Sequence, residues 1–153
     1  MLSKTIAAIR ILSAFFFLFF GQYKLFGWEF AHGGFAEYLR GYIGGEAVSW
    51  YRPVLAHVVL PHHTFFGYAV GAVEGFIGIA LLLGVFVRFA SVLGMLHMIS
   101  LTLATFWSPG HNVPTWRYFG YQLDHIPMLF LFVIFYVSRA GETWGLDGVP
   151  RDR

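Results

Sequence analysis

Residues 65–88 read FFGYAVGAVEGFIGIALLLGVFVR, and only Glu74 is charged before the closing arginine. At a 1.5 Å rise per residue, such a stretch is long enough to cross a bilayer core, which needs about 20 apolar residues. Gly67, Gly71, Glu74 and Gly78 recur at helical spacings, so they share one face. Glycines on a helix face let a second helix approach closely. The spacing therefore aims the carboxylate at a helix–helix contact and away from lipid. An ionised group at the centre of a spanning helix costs roughly 3 kcal/mol or more, so it needs a partner.

The rest of the chain fits this environment. Of its 153 residues, 58% are hydrophobic and 12% charged, against about 25% charged in ordinary soluble domains. The sequence predicts an all-α, polytopic membrane protein: one domain, folded as a four-helix bundle over residues 1–153. The predicted spans are residues 6–26, 65–87, 89–107 and 119–138. The N-terminus has the basic start and apolar run of a signal peptide, but no small-residue cleavage site follows. An uncleaved first span is expected. Net charge is +2 and no basic run exists, which excludes a nucleic-acid partner. Cysteine is absent, so this chain supports no disulfide, thiol catalysis or iron–sulfur ligation.

Four spans put both termini on one side. Lys4, Arg10, Arg88, Arg139, Arg151 and Arg153 belong to that side; Lys24, Arg40, Arg52 and Arg117 belong to the other. The excess predicts cytoplasmic termini in a bacterial or archaeal inner membrane. The long connection, residues 27–64, then lies outside as a loop carrying one or two short interfacial helices. Trp28, Trp50, Tyr51, Trp107, Trp116 and Tyr118 collect near that boundary as an aromatic belt. Arg88 is expected to close the second span, with the third starting at Phe89. Arg10 and Lys24 are expected to extend their charges toward the two interfaces.

The buried polar groups gather in the outer half: Lys24, Glu74, His97, Asp124 and His125, with Gln22 and Gln122. Lys24 is the simplest partner for Glu74, shared with Asp124. One reading is an ion pair that fixes helix register. The other is a pocket for a quinone head group, in which Lys24 or His125 donates to a carbonyl and aromatic rings hold the ring faces. A variant passes protons among Glu74, Asp124 and His125. His97 and His125 raise the alternative of a bis-histidine haem, but no two histidines on one helix have ligand spacing, and hydrogen bonds to neighbouring helices are favoured. His32, His57, His62, His63 and His111 form a loose outer cluster without recognised metal spacing. No intrinsic cofactor and no metal site is expected. No phosphate loop or Ser-His-Asp arrangement is present.

The run IRILSAFFFLFFGQYKLFG, the run GAVEGFIGIALLLGVFVRFAS and the tail Trp144-Gly145-Leu146-Asp147 together resemble the DoxX family. The first carries an arginine and glycine-x-x-lysine, the second a glutamate within glycines and a closing arginine. Lys24, Glu74 and Arg88 are the positions this resemblance carries over. It implies a four-helix membrane subunit of a respiratory or sulfur-oxidising redox complex, working with quinone and with redox centres on partner subunits. The long loop, with residues 50–63, and the stretch 107–118 are richer than the family pattern. They suit an alternative: a non-catalytic accessory or assembly subunit that docks a larger membrane complex through its outer loop.

Overall fold

The computed structural model describes the backbone of residues 1–106 and 115–149, and the side chains of 1–106 and 124–149. Among these residues the fold is all-helical. Helix α1 is Leu2–Phe26, α2 Phe35–Gly41, α3 Arg52–Val54, α4 His63–Leu83, α5 Val87–Ala104 and α6 Thr115–Val137. Three helical runs are long and apolar enough to cross a membrane: Leu2–Phe26, Arg52–Leu83 and Val87–Ala104. Within α6, Asp124–Val137 is a shorter apolar helix.

Packing is most extensive between α1 and α4 and between α5 and α6. The first pair closes through glycine. A Cβ on Gly21 would stand 2.6 Å from the backbone nitrogen of Gly75, and one on Gly71 would stand 2.9 Å from Lys24 Cβ. No larger residue fits either position without parting the helices. In the second pair the Phe132 ring lies on Gly94, where a Cβ would meet it at 2.3 Å. Phe17, Ile77, Leu81, Val87, Met98, Phe132 and Phe135 then form one core drawn from all four long helices. Phe15, Phe16, Phe19 and Phe20, which have no place in that core, stay exposed along α1.

The connection between α1 and α4 is itself helical for most of its length. Wide π turns at Phe30–Gly34 and Tyr42–Glu46 flank α2. From Arg52 the chain runs through α3, a π turn and a 3-10 turn at Leu60–His62 into α4. Pro61 lies in that last turn, where its missing donor costs least. The connection folds back over the end of α5: Leu39, Ala47 and Leu55 bury against Ala104. Tyr51 Oη and Ser100 Oγ share a 2.8 Å hydrogen bond, and Val48 N donates to Leu103 O.

The other end departs from the sequence reading in three ways. First, α4 stops at Leu83, where Gly84 takes the left-handed conformation (φ 65°) that a helix C-terminus favours. Arg88 therefore lies in the first turn of α5 and does not end α4; its guanidinium sits over the Tyr136 ring, 4.5 Å from the centroid. Second, Arg10 does not reach for the interface. It is fully buried, packed on Gly84 and Gly145, and donates from Nη2 to Trp144 O at 2.8 Å. Its stem cannot leave because the C-terminal tail covers it.

Third, that tail is part of the bundle. Asp147 accepts from Phe86 N at 3.0 Å and from Val87 N at 3.1 Å, and its own N–H donates to Gly84 O at 2.8 Å. Its carboxylate thus caps the first turn of α5 from a distant part of the chain, where the helix dipole also favours a negative group. Asp147→Ala is expected to lower stability by about 1–2 kcal/mol. The drop is to be measured by thermal unfolding in detergent, together with faster proteolysis after residue 137.

Candidate functional site

Lys24 is in the last turn of α1, Glu74 midway along α4 and His97 midway along α5. The glycine contact sets the first two. Gly21 and Gly71 bring the two backbones together one turn from the charges, so the Lys24 stem lies directly against α4. Lys24 Nζ donates to Glu74 Oε1 at 2.5 Å, and His97 Nε2 stands 2.9 Å from the same oxygen. Because a carboxylate can only accept, Nε2 carries the hydrogen and donates. One oxygen therefore ties three helices together.

The cluster is largely shut off from its surroundings. The side chains of Lys24, Glu74 and His97 are 17%, 5% and 10% exposed. The ammonium of Lys24 also stands 5.9 Å from the Phe20 ring centroid and 5.6 Å from that of Phe30. Ring faces at this range attract a cation and keep water from it. Removed from water, both charges depend on each other and on these neighbours. Glu74 Oε2 is buried too, but it has no hydrogen-bond partner among the described residues. The carboxylate is doubly engaged on one oxygen and vacant on the other.

The other expected members of this group are placed differently. Asp124 is exposed and lies beside His125, so it does not share Lys24 with Glu74. His125 is half-buried; its Nδ1 is 3.4 Å from Thr105 Oγ1, and it is within electrostatic reach of His97. These two residues form an outer neighbour of the cluster, one step removed from the carboxylate. The reason is their position on α6, which packs on α5 and has little contact with α1.

Two of the loop histidines have contacts of their own. His32 stacks on Trp28 at 3.4 Å between ring centroids, and His63 Nδ1 lies 3.2 Å from Leu60 O. Among the described residues no three of His, Asp and Glu converge as metal ligands. His111 lies outside the described residues.

Two features were missing from the sequence reading. His97 was placed at the right depth, but its direct bond to Glu74 was not foreseen. Phe20 and Phe30, which the sequence does not single out, wall the ammonium. The first had a signal in the chain: His97 shares a face with Ala90, Gly94, Leu101 and Ala104, a small-residue face like that of Glu74. Arg10 likewise falls with Ala14, Phe17, Gly21 and Lys24 at spacings of four and three, which marks it as inward-facing.

Set against known proteins, the DoxX family model matches residues 5–107, a range that takes in Arg10, Lys24, Glu74, Arg88 and His97. Helix α6 and the tail with Asp147 lie beyond that range. No curated protein and no solved structure matches.

A buried ion pair broken on one side leaves a stranded charge. Lys24→Met is therefore expected to destabilise the protein by about 3–5 kcal/mol, and the neutral double variant Lys24→Met/Glu74→Gln to recover most of that loss. Thermal unfolding of the two single variants and the double variant, in one detergent, measures the coupling.

Proposed function

The chain belongs to the DoxX family, and on that premise we propose that this integral membrane protein is a subunit of a quinone-linked redox complex. In this reading α6 is the fourth span, both termini are cytoplasmic and the helical connection faces outward. The cluster of Lys24, Glu74 and His97 holds the head group of a quinol or quinone. Electron-carrying centres belong to partner subunits of a respiratory or sulfur-oxidising complex, because this chain has no cysteine for an iron–sulfur site.

The observation that carries the reading is that Glu74 Oε2 has no partner among the described residues. A buried acceptor without a donor costs about 1–3 kcal/mol. A quinol hydroxyl supplies the missing donor, and in the oxidised form Lys24, whose ammonium has further N–H groups, is the donor a carbonyl needs. Phe20 and Phe30, already at the ammonium, provide flat apolar walls of the kind a head group packs on.

A second reading has its own support. Two surface grooves among the described residues are not lined by Lys24, Glu74 or His97, although Phe30 lines one of them, and glycine contacts surround the ion pair. On this reading the pair sets the register of α1 and α4 in a non-catalytic accessory subunit, and the outer connection docks the larger complex.

The neutral double variant Lys24→Met/Glu74→Gln separates the two, since it removes the charges while keeping side-chain volume. Equilibrium dialysis of the detergent-solubilised protein against a short-chain ubiquinol is the assay. Binding by the native chain, weakened at least tenfold in the double variant, is the expected result. Equal binding by both proteins, or none by the native chain, overturns the quinol site and leaves the register lock.

A further inference from the structure

At the end of the molecule opposite the helical connection, a groove of about 540 Å³ opens between the start of α5 and the tail. Arg88 and Arg139 line it, with Phe86 and Phe89 beside them. Both phenylalanines are exposed. We propose that this groove binds the phosphate of an anionic phospholipid, with the two arginines on the phosphodiester and Phe86 and Phe89 against the upper acyl chain. The proposal is independent of the quinol site.

Four observations converge on that occupant. Arg88 is exposed, and its guanidinium carbon stands over the Tyr136 ring, 4.5 Å from the centroid. A guanidinium over a ring keeps its N–H edge free for two oxygens of a phosphate. Arg139 has the left-handed backbone conformation, φ 50°, just past the end of α6, which turns the chain into the groove. Its only ion pair among the described residues is a long one, 3.4 Å to Glu142, with both side chains more than half exposed. Such a contact is readily exchanged for a better anion.

The acids lining the groove do not cancel this. The Asp147 carboxylate is occupied by Phe86 N and Val87 N, and it neutralises a helix start. Glu142 is the one competing anion on the groove wall, within reach of Arg139. The groove also lies beside the turn where the apolar run Arg52–Leu83 ends and the run Val87–Ala104 begins, and the ends of membrane-spanning runs reach the depth of lipid phosphates. Paired arginines next to exposed aromatics at that depth suit a lipid and not a soluble anion, because the ring faces would otherwise be left in water.

The test is thermal unfolding of the full chain in a zwitterionic detergent. Phosphatidylglycerol, phosphatidylcholine with the same acyl chains, or glycerol 3-phosphate is titrated in. Phosphatidylglycerol is expected to stabilise the protein at concentrations at least tenfold below phosphatidylcholine. Arg88→Gln and Arg139→Gln should each raise its half-saturating concentration about fivefold. Glu142→Gln should lower it, because the competing carboxylate is gone. A variant that merely weakened the fold would not produce these opposite signs. Equal stabilisation by both lipids, or a Glu142→Gln change in the same direction as the arginine variants, overturns the proposal. Equal stabilisation by glycerol 3-phosphate also overturns it, by assigning the groove to a soluble anion.

Discussion

A single carboxylate, placed where water cannot reach it, imposes its needs on the whole bundle. Glu74 is stable as an ion only if donors come to it from outside its own helix, because the backbone of α4 is already internally bonded. Lys24 supplies the charge from α1 and His97 supplies an N–H from α5. Three helices are thereby referenced to one oxygen. The glycines serve the same end: without Gly21 and Gly71 the α1 and α4 backbones would stand too far apart for the Lys24 stem to lie along α4. Hydrophobic burial is indifferent to small slips between lipid-like faces, whereas an ion pair this short is not. The charge cluster therefore supplies direction that the phenylalanine-rich core alone would lack.

The opposite end answers a similar demand with different residues. The turn between α4 and α5 places the negative end of one helix dipole beside the positive end of the next. Arg10, reaching in from α1, packs on Gly84 at the C-terminus of α4. Asp147, reaching back from the tail, bonds the first two N–H groups of the α5 start. A cation meets the carbonyl end and an anion meets the amide end. The two side chains also attract one another. The tail is thus a closing element of the bundle, although it lies beyond the part of the chain that the DoxX model matches.

Chemistry and architecture divide along these lines. At the end with Arg10 and Asp147 the charged groups answer helix termini and one another, although Arg10 Nε and Nη1 are buried without a hydrogen-bond partner among the described residues. The end with Glu74 keeps one acceptor oxygen without a donor among the described residues, held by three helices and flanked by aromatic faces. On the proposed quinol reading, a site that is fixed, dry and one hydrogen bond short suits a ligand with a hydroxyl or similar donor. The two ends differ in kind: the unpaired atom at Glu74 is an acceptor, and those at Arg10 are donors.

Much of this was written in the chain. The apolar runs, the lone Glu74 and the glycine spacing determined that the protein is helical, that it enters a membrane, that the acid faces another helix and that Lys24 is its cation. These follow from local periodicity and from the cost of desolvating a charge, which do not depend on where distant segments go. The tertiary structure alone decided the rest. It brought His97 to the same oxygen and left Asp124 exposed on α6. It ended α4 at Leu83, so that Arg88 opened α5, and it buried Arg10 under a tail whose Asp147 caps a helix begun sixty residues earlier. Each of these depends on which helix lies beside which and at what rotation. Side-chain periodicity names the inward face of a helix, but the identity of the neighbour across that face is set only when all the helices pack at once.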